Sequence, residues 1–242
     1  LIFKHILNNI PRPWLIKASY LVKPIIAFYL KGDTYTDPID GNSFRKFLPY
    51  GYSKQRKNAL SPSTLSLERH RLMWLFLKNE TSFFTSSKKI KTLHIAPEQC
   101  FLKIFKKQKN LDYITSDLES PIADVKADIC NLPVEDNQYD VILCNHVLEH
   151  IPVSEHALIF ENISKCVHED SIVVINIPEP KYLNWVRYNR PELLQIIDQS
   201  LSMQDLLNST YSAGFHLEEI LPYAIHTNVP NYLSIIFSRK KE

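Results

Sequence analysis

From Ile90 onward, short apolar runs rich in β-branched residues alternate with stretches of helical spacing. Residues 90–95 (IKTLHI) predict a strand, 98–107 a helix and 111–116 (LDYITS) a second strand, with a short third near 122–128. Residues 139–144 (YDVILC) and 171–177 (SIVVINI) are apolar without clean alternation, the pattern of strands covered on both faces. Helices are predicted over 154–167 and 202–213, the second with Ser202 as N-cap and Gly214 just past its end. The tail, 215–238, offers two strands joined by a proline-containing loop. Such alternation implies a parallel sheet with right-handed crossovers and helices on both faces. Sheets of this kind bind ligands at the carboxyl ends of their central strands.

Before residue 90 the pattern is less regular. Pro11, Pro13 and Pro24 punctuate a helical arm, and Gly32-Asp33 predicts the start of a loop. Ser61-Pro62-Ser63 leads into a helix expected over 65–78, with Leu65, Leu72, Leu75 and Phe76 apolar. Residues 79–89 read as a linker. The expected division is therefore 1–85, an N-terminal extension, and 86–242, the main domain.

Composition narrows the function. The 242 residues are 45% hydrophobic, enough for a full core plus an extension. Only four glycines stand against fifteen prolines, so a glycine-rich phosphate loop is excluded. A formal charge of +2 argues against a general nucleic-acid binder. Residues 1–32 nevertheless hold Lys4, Arg12, Lys17, Lys23 and Lys31 and no acid, beside Trp14, Tyr20, Phe28 and Tyr29. Two readings fit: peripheral contact of residues 1–31 with an anionic membrane, or an arm packed over the main domain with its lysines in water. The apolar stretch 21–30 is broken by Lys23-Pro24 and is too short to span a bilayer. Cys100, Cys130, Cys144 and Cys166 form no CxxC pair and read as reduced core cysteines. With no small-residue cleavage site behind the apolar N-terminal segment, a cytoplasmic location is the expectation.

The residues after each strand carry the candidate chemistry. His94-Ile95-Ala96-Pro97-Glu98 follow the first strand and Asp117-Leu118 the second. Asp128-Ile129 precede the fourth, and Asn145-His146-Val147-Leu148-Glu149-His150 follow it. An acid after strand two suits a ribose, because a carboxylate accepts from two vicinal hydroxyls. Asp128 beside Ile129 suits an adenine, the acid meeting the exocyclic amine while the apolar side chain packs on the ring.

The run 93–98, Asp117 and the block ADICNLPVEDNQYDVILCNHVLEHI together resemble class I S-adenosylmethionine-dependent methyltransferases of the type 11-like branch. Asp128-Ile129, Leu132-Pro133 and Tyr139-Asp140 match the family's adenine-side pattern, and the resemblance covers about 90–238. It implies a Rossmann-like, seven-stranded, mostly parallel α/β sheet, S-adenosylmethionine as cofactor and a small-molecule, sugar or lipid-linked acceptor. His94, Ile95, Ala96, Pro97, Glu98, Asp117, Leu118, Asp128, Ile129, Asn145 and His146 are then the cofactor-binding candidates, with His146 also the candidate base. The family's first loop is acid-x-Gly-x-Gly; here His94, Ala96 and Glu98 stand instead, similar to a bacterial LHIAPE subgroup. Glu98 is placed to take the cofactor's ammonium in lieu of the missing acid.

Two further motifs are read as decoys. HVLEH matches an inverted zinc-peptidase motif, but Pro152 follows at once and leaves little more than a turn. In the LHIAPE subgroup a four-cysteine zinc ribbon precedes the domain; here Asp37, Asp40, Ser61 and Thr64 occupy those places, poor ligands for structural zinc, so no metal is expected. Glu68-Arg69-His70-Arg71 are candidate pocket contacts, and Pro178-Glu179-Pro180-Lys181-Tyr182 with Trp185, Arg187, Tyr188 and Arg190 are candidates for the acceptor side. A non-catalytic binding or scaffold protein of the same fold is the rival reading.

Overall fold

The structure, a computed structural model, describes residues 12–51, 55–132, 138–178, 188, 203–223 and 232–239. The chain divides into two units, Leu1–Leu75 and Phe76–Glu242. In the first, helix α1 (Arg12–Leu30) runs unbroken through Pro24, which removes one internal hydrogen bond. Its Leu30 is buried with Phe44 and Phe47, and Ile26, Ala27 and Leu48 pack around them. Strand β1 (Lys31–Thr36) pairs antiparallel with β2 (Ser43–Phe44), and β3 (Leu48–Tyr50) with β4 (Arg56–Leu60). Gly32-Asp33 thus lies inside a strand rather than opening a loop. A Cβ at Gly32 would stand 2.6 Å from the Arg45 backbone nitrogen, so this approach admits only glycine. Helix α2 (Glu68–Asn79) starts three residues later than expected, because Leu65 adopts φ +63 and its N–H donates to the Ser61 carbonyl. Its buried face is Met73, Trp74, Phe76 and Leu77, while Leu75, expected inside, is exposed.

The second unit supplies the sheet. Its elements are β5 (Ile90–Ile95), α3 (Gln99–Lys107), β6 (Leu111–Asp117), β7 (Val125–Lys126), β8 (Tyr139–Asn145), α4 (Val153–Cys166), β9 (Val167–Pro178), α5 (Met203–Ser212), β10 (Phe215–Tyr223) and β11 (Tyr232–Arg239). The strand order is β10-β11-β9-β8-β5-β6-β7. All neighbours are parallel except that β11 runs antiparallel to both β9 and β10. This is the expected Rossmann-like, seven-stranded, mostly parallel sheet. Ile142, Ile159, Ile163, Val167, Ile177, Ile235 and Phe237 are fully buried in its core. Each such side chain contributes about 1.5–3 kcal/mol relative to exposure. From β5 the chain steps outward to β6, and from β8 it steps the other way to β9. In sheets of this kind, ligands bind at such a reversal, outside the carboxyl ends of the strands, here those of β5 and β8.

The expected linker is anchored: Phe83 is buried edge-on to Phe84 and Phe105, with ring centroids at 4.9 and 5.4 Å. Gly214, at φ +80, ends α5 as expected, whereas Ser202 and the loop holding Pro230 lie outside the described residues. All four cysteines are free; Cys130 differs from the core expectation by being partly exposed.

Candidate functional site at the strand ends

A chain of buried polar groups crosses four neighbouring strands at the reversal point. His94, with no exposed surface, is the penultimate residue of β5; its Nδ1 lies 2.7 Å from the Tyr113 hydroxyl of β6 and its Nε2 2.8 Å from Glu98 Oε2. Burial, then the Glu98 charge, pushes the Tyr113 pKa up, so the hydroxyl keeps its proton and donates to Nδ1. The ring proton then sits on Nε2 and is donated to the Glu98 carboxylate. Asn145, at the end of β8, donates Nδ2 to the same Glu98 oxygen at 2.9 Å. Its Oδ1 accepts from Asn176 of β9, the residue opposite it in register. Glu98 stands at the N-terminus of α3 but makes no side-chain cap bond there; its carboxylate turns to the strand ends instead.

The backbone at this edge is unusual in the same places. Ala96 and His146, the residues directly after β5 and β8, both adopt φ +54. Non-glycine residues in the left-handed region are uncommon and concentrate at functional sites. Each leaves its strand by donating its N–H across to a neighbour, Ala96 to the Ser116 carbonyl at 2.8 Å and His146 to the Asn176 carbonyl at 2.9 Å.

Beyond His146, residues Leu148–His150 form one 3₁₀ turn, too short to present two histidines from a helical face. Glu149 is buried and its Oε1 lies 2.9 Å from His146 Nδ1, fixing the imidazole. His156, on α4, holds the turn from behind: its Nε2 lies 3.1 Å from the carbonyls of both Leu148 and Ile151.

At the end of β6, Asp117 Oδ1 accepts from the N–H groups of Glu119 and Ser120 at 2.9 and 2.8 Å. Its Oδ2 accepts no hydrogen bond among the described residues, and the next side chain, Leu118, is 64% exposed. Asp128 is exposed and caps the turn Ile129–Asn131 by accepting from the Cys130 N–H. Ile129 itself is buried in the core, so its side chain serves the domain's packing rather than standing open as a stacking surface. Ile95 and Pro97 are buried as well, Ile95 in that same core. His94 is fully enclosed and hydrogen-bonds Glu98. Among the described residues, Ser116 Oγ, Ser120 Oγ and Glu149 Oε2 are buried oxygens without a hydrogen-bond partner, all just beyond or at the ends of β6 and β8. Buried oxygens of this kind are rare unless a ligand or water satisfies them.

Tyr113 and Asn176 were not anticipated. Their one signal was a polar group inside an otherwise apolar strand. Of the expected acceptor side, Pro178 ends β9 and Tyr188 is exposed; residues 179–182, Trp185, Arg187 and Arg190 lie outside the described residues. Cys130 is no nucleophile, since burial and its hydrogen bond to Glu155 push the thiol up to about 12.

In the first unit, Asp37 and Thr64 join two loops by hydrogen bonds. Asp37 Oδ2 accepts from the Thr64 and Ser66 hydroxyls at 2.5 and 3.1 Å, and its Oδ1 from the Ile39 N–H at 2.9 Å. Ser61 Oγ reaches the Thr64 N–H at 3.5 Å, whereas Asp40 is exposed and binds only Asn42. No group of three His, Cys, Asp or Glu side chains arranged for a metal occurs among the described residues.

Residues 83–175 match the family model described as a methyltransferase domain. The fold is similar to S-adenosylmethionine-dependent methyltransferases of known structure. One from Clostridium acetobutylicum is 10% identical, with TM-score 0.53 over 70% of this chain and 89% of that one. One from Archaeoglobus fulgidus is 16% identical, with TM-score 0.52 over 69% and 93%. One from Mesorhizobium loti is 11% identical, with TM-score 0.50 over 63% and 92%. At these identities the likeness speaks for the fold alone. No curated protein matches the sequence.

Proposed function

We propose that this chain, with a methyltransferase domain matched over residues 83–175, is an S-adenosylmethionine-dependent methyltransferase acting on a small-molecule, sugar or lipid-linked acceptor. The observation that carries the reading is the set of polar groups that adjacent parallel strands bring to the reversal edge: Glu98 bridged to Asn145, Asp117 with Oδ2 available, and His146 held by Glu149. The three unpartnered buried oxygens there fit a polar ligand. The LHIAPE run and the hydrogen-bonded loops at 37–42 and 61–66 support the bacterial subgroup with a degenerate ribbon.

S-adenosylmethionine is the cofactor, and when bound it supplies an electrophilic methyl group on a sulfonium. Glu98 would meet its ammonium, with His94 and Asn145 fixing that carboxylate from behind. The first-turn N–H groups of α3 favour a carboxylate at the same place. Asp117 would accept from the ribose hydroxyls, Leu118 would cover the adenine, and Asp128 would meet its amine. With Nδ1 donating to Glu149, His146 would present Nε2 as the ring nitrogen that accepts. That nitrogen would accept the proton of a hydroxyl or amine acceptor, a contribution of about 10²–10⁴ in rate.

The test is isothermal titration of the whole chain with S-adenosylhomocysteine, beside Asp117→Ala. Binding that weakens about 10- to 100-fold in the variant supports the reading. A folded protein that binds no S-adenosylhomocysteine overturns it in favour of a non-catalytic binding or scaffold role, which the glycine-free first loop would then explain.

A further inference from the structure

Helix α1 has a second apolar face. Its inner side packs through Ile26, Ala27 and Leu30 onto Phe44, Phe47 and Leu48. On the other side Trp14, Leu21, Val22, Ile25, Phe28 and Tyr29 are exposed, Leu21 by 76% and Phe28 by 83%. At 3.6 residues per turn these six fall within an arc of about 120°. A helix of a globular domain buries its one apolar stripe, and a second contiguous stripe left in water marks an interaction surface.

Charge selects the partner. The unit Leu1–Leu75 holds twelve Lys and Arg against four Asp and Glu, a formal +8, whereas Phe76–Glu242 carries −6. Helix α1 contains no acid. Cations flank the stripe: Lys17 Nζ lies 5.8 Å from the Trp14 ring centroid, and the Arg45 guanidinium 4.7 Å from that of Tyr29. Lys31 is exposed just past the helix, with Asp33 the first acid after it. A second copy pairing through the same face would set +8 against +8, and a nucleic acid would leave the aliphatic stripe unsatisfied. No described helix is long and apolar enough to cross a membrane.

We propose that α1 docks on an anionic lipid surface. The stripe lies in the headgroup–acyl boundary, and Lys17, Lys31 and Arg45 sit at the level of the lipid phosphates. The surface is independent of the methyl-transfer reading. It would hold the protein at the membrane whatever its acceptor.

The test is co-sedimentation of the full chain with vesicles of phosphatidylcholine, alone or mixed with phosphatidylglycerol. Binding to the mixed vesicles only is expected, falling about fivefold for each of Lys17→Gln and Lys31→Gln. Combined Leu21→Ser, Ile25→Ser and Phe28→Ser should abolish it while circular dichroism stays unchanged, since these side chains are exposed. Four results would each overturn the proposal. They are no vesicle binding by the wild type, equal binding to both vesicle types, unchanged binding by the triple variant, and a lipid-free dimer that the triple variant dissociates. If the triple variant does not fold, the two lysine variants decide alone.

Discussion

Each unit of this protein buries a polar cluster around a single carboxylate, and the two clusters differ in what the carboxylate faces. Asp37 is sealed, with both oxygens accepting from the chain's own donors: the Ile39 N–H and the hydroxyls of Thr64 and Ser66. Glu98 keeps 16% of its side chain exposed, just past the carboxyl end of β5. Around it are left-handed backbone at Ala96 and His146 and buried oxygens that lack partners. A carboxylate satisfied on every side fastens two loops together. One satisfied from behind by His94 and Asn145 is oriented toward whatever enters from the front.

Removing the two carboxylates should therefore have opposite signatures. Asp37→Ala leaves three buried donors without an acceptor and should cost about 3–5 kcal/mol in urea denaturation, with Asp37→Asn costing less. A loss below about 1 kcal/mol would erase the distinction between the clusters. Glu98→Gln should weaken S-adenosylhomocysteine about 10- to 100-fold in titration calorimetry while changing the urea midpoint little. Tyr113→Phe removes the donor to His94 Nδ1 and should cost about 1 kcal/mol of stability. Its effect on binding should be smaller than that of Glu98→Gln, because it acts through His94.

The smallest effects belong to two surface pairs on the second unit, each below about 1 kcal/mol once solvent screening is counted. Burial raises the Asp124 pKa, but hydrogen bonds from Lys106 and Thr115 outweigh it and hold the carboxyl below its ordinary value. Its contribution is present above the ordinary carboxylate range and lost as pH falls through the lowered value. His168 is the mirror case: burial lowers its pKa, but the Glu169 carbonyl and Asp140 carboxylate outweigh it and raise the imidazole above 6.5. Its contribution is present below 6.5 and lost as pH rises through the raised value. Thermal midpoints against pH should show a flatter acid limb in Asp124→Asn and a flatter alkaline limb in His168→Gln.

The sheet was legible because β5, β8 and β9 are covered on both faces, which demands unbroken apolar runs whatever the rest of the chain does. Strand β1 was not. Lys31-Gly32-Asp33-Thr34 has no strand-like pattern, and its conformation comes from pairing with β2 and from the close approach at Arg45. At the site, Glu98, Asp117, Asn145 and His146 could be read because they follow predicted strands. Asn176 could not, since its partnership with Asn145 depends on a cross-strand register that no local pattern encodes. Ile129 shows the converse: position marked it as ligand-facing, but its apolar side chain is used by the core.

The left-handed residues at 96 and 146 also bear on how this chain can evolve. A side chain in that conformation costs about 1–2 kcal/mol that glycine would not. Ala96→Gly is therefore among the easiest stabilising changes open to a protein with only four glycines. The same change would widen the conformations open to the loop between β5 and α3. The two effects pull in opposite directions: glycine would relieve the backbone strain at 96 and would loosen the approach to Glu98.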